Sequence, residues 1–268
     1  MREEKMRKIV RERYGEIAKT KSCCSSRTCS GTSSKIGYSE KELKSVPEGA
    51  DLSLGCGNPV ALASLREGET VIDLGSGGGL DCFLASKIVG EKGKVIGVDM
   101  TPEMIDKARE NCRKGKYKNV EFRLGEIENL PVADNTADAI ISNCVVNLSP
   151  KKKRVFQEAF RALKPSGRLM VSDIVLLKEL PDAVRNNVQA YVGCVGGAVM
   201  KDEYLESIRE AGFQKVRIVE EEHFPLKLVT DDPEARTIKK DANIPIGKVK
   251  ELVDSIASIR VCGVKPDK

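Results

Sequence analysis

The chain has 268 residues, with 45 Lys or Arg against 40 Asp or Glu, nine Cys and a single His. A 40% hydrophobic fraction together with 23 glycines is a globular composition and excludes a disordered or collagen-like polymer. One histidine, His223, excludes multi-His metal sites and most hydrolases that relay protons through imidazole. The cysteine count is odd, so complete internal pairing is impossible. The opening MREEKMRKIVRERYG carries charge where the apolar core of a secretory signal would sit. The longest apolar candidate, Val188–Met200, is Gly-rich and too short for the ~18–20 residues of a membrane span. These features read as a cytoplasmic chain with reduced thiols, where clustered Cys suggest redox or metal chemistry.

The net charge of +5 is concentrated in residues 1–50, which hold twelve Lys or Arg and seven Asp or Glu. That is an opening for nucleic acid or anionic lipid. However, Met6, Ile9, Val10, Tyr14 and Ile17 follow helical spacing, which predicts a helix docked on the body of the protein. Residues 22–34, SCCSSRTCSGTSS, lack core-forming side chains and read as a loop carrying Cys23, Cys24 and Cys29.

From Glu67 onward short apolar strands alternate with amphipathic helices. Strands are predicted at Thr70–Leu74, Lys94–Asp99, Val120–Leu124, Ala137–Ser142 and Gly167–Asp173, with helices near Leu80–Val89, Pro102–Arg113 and Lys151–Leu163. Such alternation predicts an α/β fold, a Rossmann-like sheet of five parallel strands covered by helices on both faces. A helix at Lys201–Ala211, a strand at Val216–Glu222 and a last strand near Ile259–Val264 suggest an antiparallel pair closing one edge. Three regions follow: an N-terminal extension (1–66), a central domain (67–223) and a C-terminal insertion with its closing strand (224–268).

The segment from Thr70 to Leu80, TVIDLGSGGGL, is a strand turning through glycines into a helix. Glycine lets backbone approach a ligand closely, and the helix N-terminus adds partial positive charge. The dinucleotide fingerprint Gly-x-Gly-x-x-Gly requires a third glycine where Leu80 stands. The glycines fall instead at Gly75, Gly77 and Gly79, with Asp73 two residues earlier. An acid at that strand end repels a pyrophosphate but suits an ammonium group. Asp99 closes the next strand, where a carboxylate accepts ribose hydroxyls. One acid for an amino group and one for a ribose describe S-adenosylmethionine. The arrangement resembles the class I methyltransferases. That resemblance implies that Met100 packs on the adenosine and that Gly125, Glu126 and Ile127 border the adenine. Met104 also belongs to a plain amphipathic stripe with Ile105, Ala108 and Cys112.

Three cysteines stand in settings the core does not explain. Cys56 sits between glycines in SLGCGNP, Cys144 follows the fourth strand in SNCVVNLSP, and Cys194 precedes two glycines in VGCVGGA. Cys112 and Cys262 fit packing positions, and Cys82 fits either role. Together with DLGSGGGLD these segments resemble the arsenite methyltransferases. The resemblance implies that Cys56, Cys144 and Cys194 bind trivalent arsenic, as arsenite or its thiol conjugates, with Cys23, Cys24 and Cys29 as auxiliary thiols. It further implies that S-adenosylmethionine supplies the methyl group, that a Cys56–Cys144 disulfide forms after transfer, and that an external thiol reductant, thioredoxin or glutathione, reopens it. Trivalent arsenic is soft and prefers thiolate over imidazole, which suits a chain with one His. The competing expectation is a class I methyltransferase of another small molecule, a quinone or sterol precursor. Carbon and oxygen acceptors have no use for the cysteine trio.

Overall fold

The computed structural model describes residues 2–19, 32–223, 233–241, 245 and 248–267. Cys23, Cys24 and Cys29 lie outside the described residues.

Strand β1 (Thr70–Leu74) buries Val71 to Leu74 completely and forms the middle of the sheet. It pairs in parallel with β2 (Lys94–Asp99) on one side and β4 (Ala137–Asn143) on the other. β3 (Val120–Leu124) lies outside β2, and β5 (Leu163–Leu176) lies outside β4, again parallel. Two further strands, β6 (Gln214–His223) and β7 (Ile256–Val264), complete the order β3-β2-β1-β4-β5-β7-β6 among the described residues. β7 runs antiparallel to both β5 and β6. The expected parallel sheet with an antiparallel edge is therefore present, with the last strand in sequence inserted between β5 and β6.

The switch point lies between β1 and β4, from which the chain proceeds in opposite directions. In open α/β sheets ligands bind at the carboxyl ends of the strands at such a point. Helix α1 (Arg2–Lys19) precedes the sheet, and α2 (Leu80–Val89), α3 (Pro102–Gly115), α4 (Lys152–Ala162) and α5 (Lys201–Glu210) cover its two faces. Pro102 starts α3 where its missing N–H costs nothing, and Lys116 in a left-handed conformation stops it. α4 buries Val155, Phe156, Ala159 and Ala162 on one stripe, as its spacing requires.

β5 runs three residues beyond its predicted end at Asp173. Asp173 closes the predicted strand, and in the fold it is buried and hydrogen-bonded. Ile174, Val175 and Leu176 continue the strand against β7. In the 224–256 segment, helices occupy Pro233–Asp241 and Val249–Val253. Cys82 is fully buried within the core that packs Phe83, Val95 and Ile105.

Helix α1 docks, as its apolar spacing predicts. Val10 is buried with Leu148, Ile174 and Val192, a contact of about 1.5–3 kcal/mol for a side chain of that size. Arg7 pairs with Glu128 at 3.0 Å, and the Tyr14 hydroxyl donates to the Val192 carbonyl at 3.2 Å. α1 thereby crosses the carboxyl edge of the sheet. Among the described residues, no helix is long and apolar enough to cross a membrane.

Candidate functional site

A cleft of about 1060 Å³ opens at the carboxyl ends of β1, β2 and β4, roofed by Arg7, Val10 and Tyr14 of α1. Its floor is the turn after β1. Gly75, Gly77 and Gly79 have φ of 72°, 49° and 96°, a left-handed region that glycine alone enters cheaply. The Gly75 and Ser76 amides donate to the Val98 carbonyl at 2.8 and 3.0 Å, locking the turn onto β2. A Cβ on Gly77 would point into open space, whereas one on Gly79 would meet Phe83 and Phe122. Gly77 thus borders the cleft, and Gly79 serves the packing beneath it.

Three carboxylates face this turn. Asp99 accepts the Gly77 amide through Oδ2 and the Thr101 amide through Oδ1, each at 2.9 Å. Asp73 accepts the Cys82 thiol at 3.2 Å. Asp81 accepts the Tyr38 hydroxyl at 2.6 Å. Burial pushes Asp73 well above the usual carboxylate range, with the Asp81 charge adding to it. Desolvation lifts Asp81 to about 6 against the hydrogen bonds from Tyr38 and Asn143. Desolvation also raises Asp99, although its backbone N–H partners oppose the shift. Among the described residues none of the three meets a cationic side chain, and the buried Ser76 Oγ has no hydrogen-bond partner. Unneutralised acids, an orphaned hydroxyl and a glycine floor fit a ligand that brings positive charge and hydroxyl groups.

Met100 and Ile127 line the cleft. Gly125 and Glu126 do not; Glu126 is engaged by Arg7 at 3.5 Å and Arg11 at 3.8 Å. Met104 is buried in helix α3 and also reaches the lining.

The three singled-out cysteines converge although they come from segments far apart in the chain. All are buried in one apolar cluster beneath α1. The Cys144 thiol lies within hydrogen-bonding reach of the thiols of Cys194 and Cys56, and these two neighbours, with burial, push it well above the usual thiol range. The Cys194 thiol donates to the Cys144 carbonyl at 2.8 Å. Of the trio, only Cys144 forms part of the cleft wall.

Local geometry explains the residues around them. Cys144 and Cys194 have φ of 58° and 65°, left-handed values that cost a non-glycine residue about 1–2 kcal/mol. Backbone bonds from Cys144 N to Ser172 O at 2.8 Å and from Cys194 N to Tyr191 O at 3.0 Å hold them there. Glycine flanks Cys56 because Cβ atoms at 55 and 57 would strike Asn143 and Ser172. A Cβ on Gly197 would overlap the Asn147 carbonyl. Gly197→Ala is therefore expected to lower stability by about 1–3 kcal/mol in urea denaturation, as overpacking does. A midpoint equal to wild type would contradict this account.

Sequence reasoning missed the groups that join the two halves of the site. Asn143 accepts the Cys56 amide at 3.0 Å and donates to the Gly57 carbonyl, the Tyr38 hydroxyl and Asp81. Asp173 lies beneath the cysteines; its Oδ1 accepts the Asn147 amide and the Ile174 N–H, its Oδ2 the Tyr204 hydroxyl. Burial raises its carboxyl to about 7. Ser258 donates to the Cys56 carbonyl at 2.9 Å from β7. Among these, only Asn143 had a sequence signal, its place beside Cys144 at a strand end.

A methyltransferase-domain family model matches residues 65–212, more than half of the chain. The chain belongs to this methyltransferase family. Two curated relatives are both named arsenite methyltransferase. That of Halobacterium salinarum is 50% identical over 230 residues, 80% of this chain and 59% of the relative. That of Homo sapiens is 35% identical, over 82% of this chain and 61% of its own length. A solved structure of an arsenic(III) S-adenosylmethionine methyltransferase from Chlamydomonas reinhardtii is 33% identical, covers 79% of this chain and 67% of its own, and superposes with a TM-score of 0.63. This methyltransferase chain spans about 60% of the length of the curated relatives it matches.

Proposed function

We propose that this methyltransferase transfers the methyl group of S-adenosylmethionine to trivalent arsenic held by Cys56, Cys144 and Cys194. The observation that carries the reading is the convergence of three buried thiols, from three separate loops, beside a cleft with unneutralised acids. The named relatives support the same substrate. A carbon or oxygen acceptor would leave the thiols without a role.

S-adenosylmethionine, when bound, supplies an electrophilic methyl on a sulfonium. Asp73 and Asp81 offer negative charge to its cationic groups, and Asp99 offers acceptor oxygens to ribose hydroxyls. Gly77 lets the backbone come close, and Met100 and Ile127 give apolar walls. Cys56, Cys144 and Cys194 displace the oxygen or thiol ligands of the incoming arsenic, their protons leaving with those groups. Arsenic in a three-thiolate site keeps a lone pair, which is the nucleophile. That step removes no proton, so no general base is needed, and catalysis rests on positioning, worth ~7–11 kcal/mol at best. Methylation takes arsenic to the pentavalent state. Two thiols, Cys56 and Cys144, return two electrons and close a disulfide. A dithiol such as reduced thioredoxin, or glutathione, reopens it.

The test is methyl-labelled S-adenosylmethionine with arsenite and a dithiol. Label is expected in methylated arsenic, and its absence would sink the reading. Omitting the reductant after one turnover is expected to leave Cys56 and Cys144 peptides disulfide-linked in mass spectra. Recovery of all three cysteines as free thiols would remove the disulfide step.

The acids also predict a pH dependence. Asp81 ionises near 6 in the folded protein. A bound cation favours its carboxylate, so binding must first remove a proton wherever the acid is protonated. Affinity for S-adenosylmethionine is therefore expected to fall as the pH drops through about 6, toward tenfold per pH unit below it. Asp81→Asn should flatten that limb. Calorimetric titration between neutral pH and about pH 5 checks this, and a constant wild-type affinity would count against it.

A further inference from the structure

The thiol floor holds a second donor set, which shares two thiols with the arsenic site and adds a carboxylate that the arsenic reading leaves unused. Ligand atoms of Cys56, Cys144 and Asp173 all lie within 4.8 Å of one another, and all three residues are buried. Asp173 is not a group that trivalent arsenic selects, since a soft centre prefers sulfur to carboxylate oxygen. A borderline divalent cation accepts both.

We propose that Cys56, Cys144 and Asp173 form a binding site for a zinc-type divalent cation, which competes with arsenic for the two shared thiols.

Zinc binds thiolate at about 2.3 Å and carboxylate oxygen at about 2.0–2.2 Å. Around a tetrahedral ion such bonds set sulfur atoms about 3.8 Å apart, a separation compatible with donor atoms that lie within 4.8 Å of one another. The carboxylate is oriented as a metal ligand requires. Asn147 and the Ile174 amide bind Oδ1 at 2.8 and 3.0 Å, and the Tyr204 hydroxyl binds Oδ2 at 3.1 Å. Oδ2 thereby keeps a lone pair. Such outer hydrogen bonds fix the direction of ligands around protein metals. Two thiolates and a carboxylate around a dication leave one negative charge. Lys152 offsets it, since its ammonium lies within electrostatic range of Asp173 and Cys194. The two thiol protons leave to solvent on binding. Cys194 contacts Cys144 but is not one of the three donors, so its thiol serves arsenic and is dispensable for the cation.

The metal site stands on its own donor set; its competition with arsenic rests on the function proposed above. The experiment titrates cobalt(II), a coloured stand-in for zinc, into the full chain reduced with a phosphine rather than a chelating dithiol. Wild type is expected to develop thiolate-to-cobalt charge-transfer absorption that zinc or arsenite abolishes. Asp173→Asn is expected to weaken cobalt binding by about tenfold to a hundredfold, with arsenite and S-adenosylmethionine affinities close to wild type as proof of folding. Cys194→Ser is expected to do the reverse, keeping the cobalt spectrum and losing arsenite affinity. Absence of charge-transfer absorption in wild type, or unchanged cobalt affinity in Asp173→Asn, overturns the site. Cobalt that binds but resists arsenite overturns the arsenic reading and leaves the metal site in place.

Discussion

Cys144→Ser is expected to lower methyl transfer to arsenic by about a hundredfold or more, while S-adenosylmethionine binds with near wild-type affinity. Cys144 is central to the trio: its thiol neighbours both of the others, and it alone reaches the cleft wall. Serine keeps the size and the local backbone but replaces a soft donor by a hard one. Arsenic held by two thiolates instead of three loses its fixed direction toward the cleft, and misplacement by about 1 Å can cost about a hundredfold in rate. Initial rates of labelled arsenic formation, with calorimetry for the cofactor, separate the two effects. Wild-type turnover in the variant would refute the assignment of Cys144. Parallel loss of cofactor binding would instead mark a general defect of the fold. Because Cys144 sits at φ 58°, Cys144→Gly serves as a companion. It relieves the strain, and it is expected to be as inactive as the serine variant.

The second large effect is expected at Asp99. Asp99→Ala should weaken S-adenosylmethionine binding by about a hundredfold, or about 2.7 kcal/mol. Hydrogen bonds to a charged group contribute about 1.5–3 kcal/mol each, and alanine removes every acceptor offered to a ribose. The same change frees the Gly77 and Thr101 amides that Asp99 now holds at 2.9 Å, so the glycine turn loses its anchor as well. Asp99→Asn keeps one acceptor oxygen and should fall between the two. Titration calorimetry reads both variants, and an alanine variant binding like wild type would remove Asp99 from the cofactor site.

Much of this site was legible along the chain because its parts are local. Asp73, Gly75, Gly77 and Gly79 lie within seven residues, and a left-handed strand-to-helix turn favours glycine whatever the rest of the chain does. Asp99 follows by the same logic, as the end of the neighbouring strand. The cysteines were legible one at a time, through glycines or a strand end beside them. Asp173 was not. It stood as the last residue of the predicted strand, and only the enclosure by Asn147 and Tyr204, 26 residues before it and 31 after, shows it as a buried group. Asn143 was hidden in another way, since its four partners come from three other segments.

What the sequence by itself determined are the features set by short-range chemistry: the order of strands and helices, the glycine turn with its acids, and the soft-donor character of a chain with nine Cys and one His. The tertiary structure alone decided how the three cysteines meet, that α1 roofs the cleft, that β7 enters between β5 and β6 to bring Ser258 under Cys56, and that a carboxylate lies beside the thiols. The physical reason is the range of the interactions. Backbone preference and hydrophobic period act over a few residues and leave their pattern in the chain. A cysteine cluster built across segments 88 and 50 residues apart is made by packing, and packing is written only in three dimensions.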